Sequence, residues 1–268
     1  MRSHSRMVTL AVASILLSAP GLEAQRHGEV TTPRTARVSA AGARLARIEA
    51  RAGSLRIEGR AGLTEIHARG TARASSRALL DRVRLTAERR GDVAYVVVEI
   101  PDYWNDSRDD DDEFAALDLI VEVPKTLALE VEDRSGDVEI RGVGQLDLDD
   151  NSGEVMIEDV GGRLRVRDGS GELRIRDVRG DVTLEDGSGG VRVHTVRGSV
   201  TVDRDGSGEF EAENVTGSVR IASKGSGSVE VAHVGGDFVV GRKGTGSIEH
   251  RDVRGRVDVP ERDRRRRF

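Results

Sequence analysis

The chain has 268 residues, 42 Lys and Arg against 47 Asp and Glu, and a formal net charge of −5, which excludes a generic basic nucleic-acid binder. With 33 % charged and 37 % apolar residues it is more polar than an average globular domain, yet it lacks the profile of a disordered chain. It has no Cys, so disulfides, thiolate metal sites, a Cys nucleophile and a lipoprotein anchor are excluded, and at 3 % aromatics a core built on large rings is not expected.

Arg2, His4 and Arg6 form a basic start, and Met7 to Ala19 is apolar or small without charge. Pro20-Gly21 breaks that run, and Leu22-Glu23-Ala24 approximates a small-residue cleavage site. This order predicts a secretory signal peptide over residues 1–24 and an exported protein, periplasmic or at the cell surface. The apolar run falls short of the roughly 20 residues that span a bilayer, and no later segment approaches that length.

Residues 25–43 read as a flexible lead, and residues 44–124 as a β-rich cap. Within the cap, Leu55-Arg56-Ile57 and Leu63 to Ile66, around Gly53 and Gly62, read as one degenerate coil. Residues 83–87, 93–100 and 117–123 read as longer strands, with Gly91-Asp92 as a hairpin turn and residues 75–81 as a short helix.

From residue 125 to 260 the chain repeats. A Ser-Gly or Thr-Gly step recurs at Ser135, Ser152, Ser170, Ser188, Ser207, Ser226 and Thr245, spaced 17, 18, 18, 19, 19 and 19 residues apart. A Val-x-Gly step at Val143, Val160, Val178, Val196, Val215, Val234 and Val253 keeps the same six spacings. Between the steps apolar residues alternate with charged ones, as in Val138/Ile140, Leu146/Leu148 and Val155/Ile157. Period two marks strands with one buried face. One unit offers too few inward side chains to stand alone, so units must stack on a shared core. The expectation is an all-β protein: a parallel β-solenoid of about seven two-strand coils of 17–19 residues, roughly 34 Å long at the usual strand spacing, behind an irregular β-rich N-terminal cap. An antiparallel meander explains the strands but not the recurrence of equivalent residues in register.

The pattern Ser-Gly-x-Val-x-Ile-x-x-Val-x-Gly-x-Leu, preceded by a strand ending in Val123-Pro124, resembles the bacterial "putative adhesin" β-strand-repeat family over roughly residues 45–260. The resemblance implies an exported β-solenoid associated with the cell envelope. Its motif carries no catalytic residue, and no site residue is transferred from it.

Three features are candidates for chemistry. Asp133, Asp150, Asp168, Asp186 and Asp205, followed by Lys224 and Lys243, sit three residues before each repeat Gly and would stack in a parallel coil. Calcium between coils would relieve the repulsion of such a stack, but Asp also forms turns by bonding its own backbone. The sequence 102–113 places Tyr103 and Trp104 beside four consecutive Asp; it reads either as a platform for an envelope protein or polysaccharide, or as a solvated acidic loop. The basic tail, residues 261–268 with Arg264 to Arg267, reads as a frayed end or a weak contact with an anionic surface.

No His-Glu-x-x-His, nucleophile elbow or dinucleotide loop is present, the six His are scattered, and neither a catalytic residue nor a cofactor or metal site is assigned. The reading is a non-enzymatic envelope scaffold or adhesin-like binding module. The alternatives are a calcium-ordered β-roll and a polysaccharide-processing β-helix enzyme, which would need a groove built from long loops.

Overall fold

The structure is a computed structural model that describes residues 29–100 and 113–260. The segment expected to be a signal peptide, Tyr103, Trp104 and the basic tail lie outside the described residues.

The N-terminal part comprises β1 (Val30–Ser39), β2 (Leu45–Glu49), β3 (Leu55–Arg60), β4 (Glu65–Ala74), α1 (Arg77–Leu80), β5 (Arg84–Arg90), β6 (Val93–Glu99) and β7 (Ala115–Pro124). Seven repeat coils follow, each made of two strands. They are β8 (Ala128–Asp133) with β9 (Val138–Arg141), β10 (Gln145–Asp150) with β11 (Val155–Val160), and β12 (Leu164–Ser170) with β13 (Leu173–Val178). Next come β14 (Val182–Ser188) with β15 (Val191–Val196), β16 (Val200–Ser207) with β17 (Phe210–Val215), and β18 (Val219–Ser226) with β19 (Val229–Val234). The last coil is β20 (Phe238–Lys243) with β21 (Ile248–Val253), and the two-residue strand β22 (Val257–Asp258) ends the stack.

The first strand of every coil joins one sheet and the second joins the other, and successive coils pair in parallel. Val155 lies between Val138 and Leu173, and Leu146 between Leu129 and Leu164. The fold is therefore the all-β parallel solenoid that the spacing predicts, with a single apolar core between the sheets. Where Phe210 widens one column, Ala212 narrows the next in the same coil, which keeps core volume near constant.

Each coil turns two corners. At the first, Gly171 adopts φ +142°, and a Cβ there would sit on the carbonyl of Gly153 in the coil below. Backbone stacks on backbone at this corner, so only Gly fits. The second corner lies at the end of the second strand and is turned by one left-handed residue per coil: Gly142, Asp159, Asp177, Thr195, Asn214, His233 and Asp252. This residue breaks the alternation and aims the next Val, such as Val160 or Val196, back into the core. Asp, Asn and His tolerate that conformation; a β-branched Thr does not. The lengthening from 18 to 19 residues is a bulge in the first sheet, where Glu185 pairs with Arg204 rather than Asp203.

The N-terminal part departs from expectation in two places. Residues 30–39 are not a flexible lead: β1 pairs antiparallel with β4 over its whole length. Its core side chains are few and Pro33 sits on an edge strand, so its sequence gives little strand signal. Arg34 fixes it by donating from Nε to Val83 O at 3.0 Å and from Nη2 to Leu80 O at 3.0 Å. The degenerate coil is β2 with β3, not residues 55–66, because Ile66 belongs to the antiparallel β4.

That coil is also out of sequence order. β2 lies between β6 and β8, and β3 lies between β7 and β9. Leu55 and Ile57 meet Leu119 and Val121 on one side and Val138 and Ile140 on the other. The expected hairpin at Gly91-Asp92 joins β5 to β6, and α1 is capped by Ser76, whose side chain accepts from the Leu79 N–H.

Two substitutions test this geometry. Gly171→Ala is expected to lower unfolding free energy by at least about 2 kcal/mol in urea titrations, because strain and backbone overlap act together. Thr195→Asn, which installs the residue type of the next coil's Asn214 at a φ of +61°, is expected to raise stability by about 0.5–1 kcal/mol in the same assay.

Candidate functional site

The strand register brings the Asp residues into one column. Asp133 pairs with Asp150, Asp150 with Asp168, Asp168 with Asp186, Asp186 with Asp205, Asp205 with Lys224, and Lys224 with Lys243. They continue the inward alternation of their strands, as in Leu164, Val166, Asp168. The column therefore lines the interior rather than the outside of a turn: each of the five Asp is 4 % exposed or less, and Lys224 is 2 % exposed.

Both carboxylate oxygens of Asp133, Asp150, Asp168 and Asp186, and Oδ2 of Asp205, make no hydrogen bond. The expected contacts from Asp to its own turn backbone persist only weakly, from the Arg134 N–H toward Asp133 and the Ser170 N–H toward Asp168. The backbone N–H groups near Asp133 and Asp168 favour the ionised form, but burial outweighs them. Burial raises Asp168 to about 6. Burial, with the neighbouring carboxylates of Asp168 and Asp205, raises Asp186 to about 7. Asp133 and Asp150 are pushed up together, by burial first and by carboxylate neighbours second. At the far end Lys224 Nζ donates to Asp205 Oδ1 at 2.7 Å, Gly208 O at 2.8 Å and Ser226 O at 3.0 Å.

The outer face of the second sheet is a different surface. Glu139, Met156, Arg174, Arg192, Glu211, Glu230 and Glu249 form one outward column in strict register. Charges of opposite sign pair across coils: Arg56 with Glu139 at 2.6 Å, Arg141 with Glu158 at 3.2 Å, and Arg192 with Glu172. Around Met156 a shallow depression of about 220 Å³ is bordered by Glu158, Arg174, Arg192 and His194.

Where the antiparallel strands meet the coils, a larger groove of about 740 Å³ lies against Arg34, Arg56, Arg69, Asp118, Asp137 and Glu139. Asp118 accepts from the Ser54 N–H at 3.0 Å and pairs with Arg73 Nε at 2.9 Å. Burial works against its charge, but these partners hold it below the usual carboxylate range.

The six His look scattered in sequence, yet the coil period brings two of them to Glu213. His194 Nε2 lies 3.6 Å from it and His233 Nδ1 3.3 Å, and His233 Nε2 lies 3.2 Å from Asp252. Separations of 19 and 20 residues, one coil apart, are the signal that would have found them. All four are on the surface, and the His194 ring is also held by Thr195 Oγ1 at 2.8 Å from Nδ1 and by Asn214 Nδ2 at 3.1 Å from Nε2. Among the described residues no group of three or more His, Asp or Glu is arranged to hold a metal. His250 takes an inward slot in the last coil, exposed, with its ring 6.1 Å from that of Phe238. Among the same residues no helix is long and apolar enough to cross a membrane.

The column gives stability an unusual pH dependence. Folded values near 6 and 7 for Asp168 and Asp186 exceed the unfolded value of 3.8, so the folded state holds extra protons. Their contribution is intact below about pH 4 and is lost as pH rises through 6 and 7. Asp118 and Asp159 act oppositely, since Lys125 at 2.7 Å holds Asp159 down, and they lose stability as pH falls below the unfolded value. In chelator-containing buffer the melting temperature is expected to peak near pH 5 and to fall by pH 8.5. Between those two pH values Asp168 alone accounts for about 1.4 kcal/mol, and Asp168→Asn is expected to remove its share.

Three solved structures are similar to this chain at low identity. A "putative adhesin" from Parabacteroides merdae shares 12 % identity with a TM-score of 0.41, covering 88 % of this chain and 98 % of that one. A "putative adhesin" from Bacteroides fragilis shares 14 % with a TM-score of 0.39, covering 90 % and 100 %. A "putative cell adhesion protein" from Clostridium sporogenes shares 12 % with a TM-score of 0.36, covering 85 % and 100 %. No curated protein matches. The family model described as Toastrack DUF4097 matches residues 110–251, which is more than half of the chain and takes in six of the seven repeat coils and most of the seventh. The chain belongs to the Toastrack DUF4097 family.

Proposed function

We propose that this protein is a non-enzymatic, exported β-solenoid that serves as an envelope-associated scaffold or adhesin-like binding module. The observation that carries the reading is the contrast between its connections. Within the repeats every connection is a short corner in register, whereas residues 100–114 separate β6 from β7 in the sequence and carry Tyr103, Trp104 and the acidic run. At its base Phe114 is 38 % exposed, the only large apolar side chain among the described residues that is exposed. Aromatic side chains on a rigid support suit binding to a protein or polysaccharide surface, because little conformational freedom is lost.

The outward columns support the same reading. Their charges are paired along the stack, so they form stiff, solvated faces rather than clustered acid–base groups. Export rests on residues 1–24 and on the family resemblance, with periplasm and cell surface both compatible.

The test uses the chain from residue 25 onward, with isolated envelope fractions and a panel of polysaccharides. Saturable co-sedimentation with an envelope fraction or polysaccharide is expected, weakened about tenfold or more by Tyr103→Ala with Trp104→Ala, without turnover of any polysaccharide. Cleavage of a glycosidic bond would instead establish the enzyme reading. Binding unchanged by the double substitution would remove the aromatic pair from the site.

A further inference from the structure

We propose that the stack Asp133–Asp150–Asp168–Asp186 is a row of cation sites along the solenoid axis, taking small hard cations, Ca²⁺ foremost, between carboxylates of successive coils. The inference is independent of the binding role proposed above. It begins with a conflict of charge and burial. Four side chains at most 4 % exposed place eight carboxylate oxygens in the interior without a well-formed hydrogen bond, and with no cation facing Asp133, Asp150 or Asp168. Buried charge in this state is costly unless a positive partner accompanies it.

The chain shows what such a partner looks like. In the sixth coil Lys224 replaces the Asp, and its ammonium lies in a cradle of oxygen: Asp205 Oδ1, Gly208 O and Ser226 O, at 2.7, 2.8 and 3.0 Å. Lys224 Nζ is a cation tethered to the column by its own side chain. The coils are copies in register, so the oxygens of that cradle have counterparts one coil after another. For Asp133 with Asp150 they are Gly136 O and Ser152 O; for Asp168 with Asp186 they are Gly171 O and Ser188 O.

The Ser carbonyls have capacity to spare. Ser226 O accepts from the Gly208 N–H at 3.2 Å and still takes the Lys224 ammonium. Ser152 O and Ser188 O accept the same single backbone bond, from Gly136 and Gly171, which leaves one lone pair each. With Asp in place of Lys, a step of the column offers two carboxylates and two carbonyls. An all-oxygen donor set of that kind suits hard cations, and the paired carboxylates favour a divalent one. Charge agrees: Lys224 balances Asp205, and two divalent cations would neutralise the other four carboxylates.

The experiment compares the chain from residue 25 onward, stripped with chelator at pH 8, with and without Ca²⁺ at constant ionic strength. Equilibrium dialysis is expected to find two Ca²⁺ per chain. Saturation is expected to raise the melting temperature by about 5 °C or more, with no such effect from added NaCl. Asp150→Asn with Asp168→Asn keeps side-chain shape and is expected to abolish both effects while circular dichroism still reports the β fold. Should that variant not fold, Asp168→Asn alone is expected to halve the stoichiometry. Absence of bound Ca²⁺, or binding and stabilisation that persist in the Asn variants, overturns the proposal. Stability that then depends on pH alone would assign the column to shared protons.

Discussion

Parallel stacking in register makes each residue's nearest neighbour its own equivalent one coil away. That single constraint governs the molecule. For an aliphatic residue it is favourable, since Val138, Val155 and Leu173 build a continuous buried column beside that of Ile140, Ile157 and Ile175. For Gly at the first corner it is compulsory, because backbone carbonyl stacks against backbone with no room for Cβ. For Asp it is unfavourable, because repetition multiplies one buried carboxylate into five. The same geometry that gives the solenoid its core therefore concentrates its electrostatic stress along one line.

The departures from repetition occur where stacking alone would leave a problem. At the N-terminal end an open pair of edges would invite further strand addition. There β1, β4 and β5 run antiparallel to their neighbours and close the stack with charged edge strands. The coil β2–β3 is buried between β6–β7 and β8–β9, so the chain must step over it on passing from β7 to β8. The Lys125 N–H, which donates to Arg60 O at 2.9 Å, ties that step to the end of β3. At the interior column, Lys224 ends the run of carboxylates with an opposite charge.

The surface divides into two regions with different physics. The outward faces are arrays of exposed ion pairs, each worth little, and their value lies in stiffness and solubility. Strand β7 lies where the sheets change from parallel to antiparallel pairing, and its Asp118 borders the groove there.

Sequence periodicity by itself determined the coil: its length, its two strands, its inward residues and its Gly corners. Those features are local, repeated seven times, and follow from which side chains tolerate burial or a positive φ. The helix at Ser76 and the hairpin at Gly91-Asp92 were legible for the same reason. What the alternation of Leu164, Val166 and Asp168 also implied, that Asp168 points inward, was masked by the ordinary preference of Asp for turns. Tertiary structure alone decided the place of β2–β3 and the strand at residues 30–39. Each depends on a partner remote in sequence, and a partner's identity is a matter of which edge is free once the other coils have stacked.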